Sequence, residues 1–162
     1  MANEHIATYL NDHLAGSVVA VELLEQMEAA HAGTPLAEFF SRLRVDISAD
    51  RQELQTIMGR LNIAESRPRK ASAWLTEKFT QIKLRLDDPT GGDLRLFESL
   101  EVLSLGIEGK RSLWLALSAV AKDAPALQLA DYERLTLRAE EQRSRVEAKR
   151  LETAKKALAL AA

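Results

Sequence analysis

The chain has 162 residues, 46% of them apolar and 28% charged, which is enough for one domain with a substantial core. Its 22 basic and 24 acidic residues leave a net charge of −2, so there is no global attraction to nucleic acid or to an anionic membrane. The absence of cysteine excludes disulfides, thiolate zinc sites, iron–sulfur clusters and thiol catalysis.

Only 7 Gly and 4 Pro punctuate the sequence, leaving long stretches free to be helical. The opening MANEHIATYLNDHL lacks the basic start and apolar run of a secretory signal. No apolar run reaches the roughly 18 residues of a membrane span. The expectation is a cytoplasmic protein with no membrane and no nucleic-acid partner.

The first helix is expected from about Asn3 to Ala30. Ile6, Leu10, His13/Leu14, Ser17, Val21 and Leu24 recur at the spacing that lines one helix face. His31-Ala32-Gly33 supplies a stop, and Thr34-Pro35 a restart, with Thr34 as cap and Pro35 in the first helical position. The second helix extends to about Leu61 along Phe39, Leu43, Asp46/Ile47, Asp50, Leu54, Ile57 and Leu61. So short a connection makes the first two helices antiparallel neighbours.

Ser66-Arg67-Pro68-Arg69-Lys70 is a basic linker, and Pro68 opens a shorter amphipathic helix over about 68–86, with Trp74, Leu75, Phe79, Ile82 and Leu86 on one side. About 18 helical residues cover roughly 27 Å, enough to carry the chain along a bundle as a crossover. Trp74 and Phe79 are expected to dock that helix. Asp87-Asp88-Pro89-Thr90-Gly91-Gly92 is a loop.

Asp93 is the expected cap of a third long helix, about 94–122, with Phe97, Leu100, Leu103, Ile107, Trp114 and Leu117 on its apolar face. Gly106 and Gly109 lie inside it at a cost of roughly 1 kcal/mol each relative to Ala, and close approach of another backbone would compensate. Asp123-Ala124-Pro125 breaks the chain before a fourth helix, about 126–158, striped by Tyr132, Leu135, Ala139, Gln142 and Val146. Beyond Val146 an Arg/Lys/Glu/Ala-rich stretch is expected to protrude as a solvated tail, with pairs such as Glu147–Arg150 and Glu152–Lys155/Lys156.

Four long helices with a short first hairpin, a long crossover and a short second hairpin resemble the ferritin-like superfamily. The segments Leu10 to Ser17 (LNDHLAGS), Leu105 to Lys110 (LGIEGK) and Arg138 to Gln142 (RAEEQ) are similar to those of small bacterial members. The resemblance implies an all-α, up-down-down-up four-helix bundle with an extra short helix in the crossover. Active members of that superfamily hold a carboxylate-bridged metal pair, which needs two Glu-x-x-His pairs on separate helices. Here His5, His13 and His31 all lie in the first segment. The second helix offers Asp50-Arg51-Gln52-Glu53, and the fourth offers Glu140-x-x-Arg143, ending in a cation that cannot bind metal.

Opposed positions across the first hairpin should sum to about 66, pairing Ser17 with Asp50 and His13 with Glu53, and across the second to about 248, pairing Glu108 with Glu140. One polar layer then gathers His13, Ser17, Asp50, Glu53, Glu108, Glu140 and Gln142. The preferred reading is a hydrogen-bonded layer that fixes helix register, with Arg51, Lys110, Arg111 and Arg143 as counter-charges. The alternative is a remodelled metal site for iron or manganese, with His13, Asp50, Glu53, Glu108 and Glu140 as ligands.

Other signals have bland readings. His5 and His31 lack a second imidazole at ligand spacing. Trp114 belongs to the core or an interface. Arg67, Arg69 and Lys70 make only a small basic cluster. No nucleophile elbow or phosphate-binding glycine loop occurs. The expectation is a non-enzymatic, cofactor-free scaffold or interaction module, assembled as a homodimer. Metal handling or oxygen chemistry is the alternative. A cavity lined by Trp114 and neighbouring leucines for a small apolar molecule is a third reading.

Overall fold

A computed structural model describes residues 2–66 and 92–160. Four long helices carry almost all of them: α1 (Ala2–Ala30), α2 (Pro35–Arg60), α3 (Gly92–Ala121) and α4 (Tyr132–Ala157). No strand occurs among the described residues. The basic cluster Arg67, Arg69 and Lys70 and the crossover helix over 68–86, with Trp74 and Phe79, lie outside them.

The turns follow from local chemistry. Gly33 adopts φ +78°, open to glycine without penalty, and ends α1. Pro35 then takes the first position of α2. Thr34 sits at the cap position, but its hydroxyl donates back to His31 O at 2.7 Å and makes no cap bond. Helix α2 closes with Ile63 N–H donating to Met58 O (2.9 Å) and Asn62 N–H to Gly59 O (3.1 Å) around a left-handed Asn62 (φ 54°). This paired closure satisfies two terminal carbonyls, and asparagine tolerates the conformation.

Two helix starts differ from expectation. Asp93 lies within the first turn of α3 and Gly92 begins the helix, so Asp93 favours the positive helix end as a charge. The fourth helix begins at Tyr132 and not at Ala126, because Pro125–Leu127 forms a single 3₁₀ turn that leads away from the helix axis. Asp131 is the true cap, its carboxylate accepting from Arg134 N–H at 3.0 Å.

Helix α1 packs against α2 and α3 against α4, and the two pairs meet through α1–α3 and α2–α4 contacts. The core runs through Leu10, Leu14 and Leu24 of α1, Leu43, Ile47 and Leu54 of α2, Leu100, Leu103 and Ile107 of α3, and Leu135, Ala139 and Val146 of α4. Phe40 is fully buried and its neighbour Phe39 only half-buried, which moves the α2 seam by one residue at its start. Every residue of the anticipated α4 stripe is buried, Gln142 included.

Cross-helix pairs give the registers. Asp46, Asp50 and Glu53 of α2 meet Arg145, Arg138 and Arg134 of α4, so the numbers fall on one helix as they rise on the other. Glu101 and Ser104 of α3 meet Arg150 and Glu147 of α4 in the same opposed sense. The stretch past Val146 is no free tail. Arg150 bonds Glu147 (2.9 Å) and Glu101 (3.1 Å) and lies 5.6 Å over the Phe97 ring, while Thr153 is buried. Glu152 pairs with Lys149 on its own helix at 2.6 Å.

Replacing Asp131 with Ala should cost about 1 kcal/mol in urea unfolding by removing the α4 cap. An unchanged midpoint would show that the 3₁₀ turn alone sets the helix start.

Candidate functional site

At mid-height the bundle buries a carboxylate. Asp50 faces inward because it falls on the same helical stripe as Ile47 and Leu54, and it is 2% exposed. A charge so placed must find partners, and three arrive from two other helices. Arg138 of α4 donates to Oδ1. Lys110 of α3 donates to Oδ2, which also accepts from Gln142 Nε2 at 2.9 Å. The Lys110 ammonium reaches the Gln142 Oε1 as well, closing a three-residue ring across α2, α3 and α4. Burial pulls the Lys110 pKa below its ordinary value, and the Asp50 charge opposes that shift.

The other anticipated layer members lie around this ring as separate pairs. Glu108 accepts from Arg111 Nη2 (2.8 Å) and Nε (3.1 and 3.2 Å), and Arg143 approaches to 3.7 Å. These bonds from Arg111 hold the Glu108 carboxyl below the usual carboxylate range. Glu140 joins the same guanidinium at 3.4 Å. Glu53 pairs with Arg134 at 2.7 Å. Ser17 donates to Leu14 O on its own helix (2.6 Å) and makes no bond to Asp50. His13 stands apart, its ring edge-on to Tyr9 at 4.7 Å. Burial lowers the His13 pKa, and the Asp12 charge opposes the shift.

The structure therefore brings together Asp50 and Gln142, and Glu108 with Glu140, but does not converge His13, Asp50, Glu53, Glu108 and Glu140 on a point. Glu53, Glu108, Glu140 and Asp50 each have a protein cation, and both Asp50 oxygens are taken. Among the described residues no group of three or more His, Cys, Asp or Glu is placed to hold a metal ion. These residues do not fit the paired-metal centre that the family resemblance implies.

Of the anticipated counter-charges, Lys110, Arg111 and Arg143 take that role, and Arg51 does not. Sequence reasoning missed Arg134, Arg138 and Arg145. Their signal was available: at positions 134, 138 and 145 they lie along one side of α4, opposite Glu53, Asp50 and Asp46 in falling order. Across the first hairpin Arg44 of α2 meets Glu28 at 3.0 Å and Glu25 at 4.0 Å on α1.

Beside the ring lies a cavity of about 370 Å³ between α1 and α3, floored by α2. Lys110 and Asp50 form part of its wall, so the polar ring and the cavity share a boundary. His13, Ser17, Arg51 and Trp114 line it too. Gly106 and Gly109 do not serve a close backbone approach. A Cβ built at either one meets nothing within 4 Å, and both line the cavity.

Comparison with family models, curated proteins and solved structures finds no match.

Asp50→Ala should cost about 3–5 kcal/mol in denaturant unfolding, since it strands Lys110 and Arg138. Lys110→Met should cost less, because Arg138 and Gln142 still hold the carboxylate. The double variant should fall short of the summed single costs by about 0.5–3 kcal/mol. Strict additivity would dissolve the ring as an energetic unit.

His13 gives a pH prediction. Its folded pKa is depressed below the unfolded value of about 6.5, so the unfolded chain binds more protons near that pH. Stability from this group is complete above that value and is lost as pH falls. His13→Leu should flatten the drop in melting temperature between about pH 7.5 and 5.5, above the carboxylate range. An equal drop in both proteins would place the acid sensitivity elsewhere.

Proposed function

We propose that this chain is a non-enzymatic, ferritin-like bundle that acts as a scaffold or interaction module, with its carboxylates neutralised by its own cations. The observation that carries this reading is the Lys110 ammonium between Asp50 and Gln142, with Arg138 on the opposite carboxylate oxygen. A divalent ion at Asp50 would have to displace both. The antiparallel registers of α2 with α4 and of α3 with α4 support an up-down-down-up path, in which α2 and α3 run the same way. That path is the ferritin-like one.

Self-association into a homodimer is part of the proposal. Leu137 and Leu151 are both more than half exposed and stand fourteen positions apart, close to four turns, on one side of α4. No helix among the described residues is long and apolar enough to cross a membrane, and in this proposal the two leucines meet a second copy of the chain.

Untagged protein should retain far less than one equivalent of iron or manganese by elemental analysis after loading and desalting, and should run as a dimer in light scattering. Stoichiometric metal that disappears in Asp50→Ala would overturn the reading in favour of a metal-handling protein.

A further inference from the structure

The cavity between α1 and α3 has a distinctive division of chemistry. Gly16 of α1 and Gly106 and Gly109 of α3 contribute no side chain to it, and a Cβ at any of the three would meet nothing within 4 Å. Among the described residues nothing occupies the place of a side chain at these three helix-interior positions, where alanine would favour the helix. Its volume of about 370 Å³ falls within the range of roughly 300–1,000 Å³ common to small-molecule sites.

Arg51 enters this cavity from the α2 floor. Its neighbour Asp50 is already held by Arg138, Lys110 and Gln142. Among the described residues Arg51 makes no ion pair, and its buried Nε has no hydrogen-bond partner. Arg138 and Arg145 also leave Nε unpaired, but each holds a carboxylate through Nη2, and Arg95, likewise unpaired at Nε, does not line the cavity. A guanidinium cannot discharge itself by losing a proton at physiological pH, so a half-buried one calls for an anion. Trp114, only 1% exposed, lines the same cavity. A guanidinium without an ion pair at a largely apolar cavity calls for a ligand that brings acceptor oxygens and a hydrocarbon body.

We infer that the α1–α3 cavity binds a medium-chain carboxylic acid, with its carboxylate at Arg51 and its alkyl chain in the space left by Gly16, Gly106 and Gly109. A single unpaired guanidinium matches a monoanion, and its planar fork matches the two carboxylate oxygens. The alkyl chain lies along the glycines and the apolar residues beside them, Val102, Leu105 and Leu113 among them. This inference is independent of the scaffold reading: a dimeric, metal-free protein with an empty cavity and one with a filled cavity differ only at this site.

Isothermal titration of the full chain with sodium decanoate, below its micelle concentration, and with 1-decanol tests it. Decanoate should bind at one site per chain, about tenfold or more tighter than the alcohol, the margin expected of a charge-assisted pair. Arg51→Met should abolish that preference and leave the alcohol affinity unchanged. Gly106→Leu, or Gly16→Leu on the opposite wall, should abolish binding of both while far-UV circular dichroism and the melting temperature show a folded protein. Absence of decanoate binding, equal binding of acid and alcohol by the unaltered chain, or a preference that survives Arg51→Met would overturn the inference.

Discussion

The buried carboxylate of Asp50 is the constraint on which the interior depends. Removing an anion from water costs several kcal/mol even after relaxation, and only well-aligned partners offset it. Here those partners come from two other helices, Lys110 from α3 and Arg138 with Gln142 from α4. Sliding any of the three helices by one turn, 5.4 Å, would strand a charge in an apolar setting. Leucine layers above and below could repack after such a slip, and the ring could not. Outer pairs repeat the same register at lower energy: Asp46–Arg145 and Glu53–Arg134 flank Asp50–Arg138 along the α2–α4 contact. Each is more exposed than the central pair and worth correspondingly less.

Helix α1 takes no part in the ring. It is held by apolar contacts, by the ion pair of its Glu28 with Arg44 of α2 at 3.0 Å, and by Asn11, which accepts from Ser66 N–H at 2.7 Å and donates to Ala64 O at 3.3 Å, tying the segment after α2 to α1. The cavity lies where α1 faces α3, on the side of the bundle without the charged ladder. Gly16 of α1 and Gly106 and Gly109 of α3 are among the residues that line it. Lys110 follows directly on Gly109, so the residue that completes the ring also forms part of the cavity wall.

Much of this was legible in the sequence because burial leaves a period. The stripe Tyr132, Leu135, Ala139, Gln142, Val146 is buried throughout, and the placing of Asp50 between Ile47 and Leu54 announced a buried charge. Gly33-Thr34-Pro35 announced the first hairpin through backbone geometry. What escaped was whatever depends on distance across helices. Arg138 reads as an ordinary surface residue until α2 is set against α4. The cap at Asp131 was masked by Pro125, a stronger local signal that turned out to shape a 3₁₀ turn. Gly106 and Gly109 announced a local oddity, but a glycine reports only that a side chain is missing. Whether a backbone or an empty space takes its place is settled by the partner helix.

A cluster of carboxylates between helices can be neutralised by metal ions or by lysine and arginine, and the two solutions have different consequences. Metal neutralisation ties the fold to metal supply and leaves open coordination positions where chemistry can occur. Neutralisation by Lys110 and Arg138 is intramolecular and permanent. It places donors on both oxygens of Asp50. The two cations are suited to different places. The compact ammonium of Lys110 fits between the Asp50 and Gln142 side chains. The guanidinium of Arg138 reaches Oδ1 from a more exposed position. Arg51 follows Asp50 in the chain, but consecutive helical residues do not face each other, so it lies at the cavity and not in the ring.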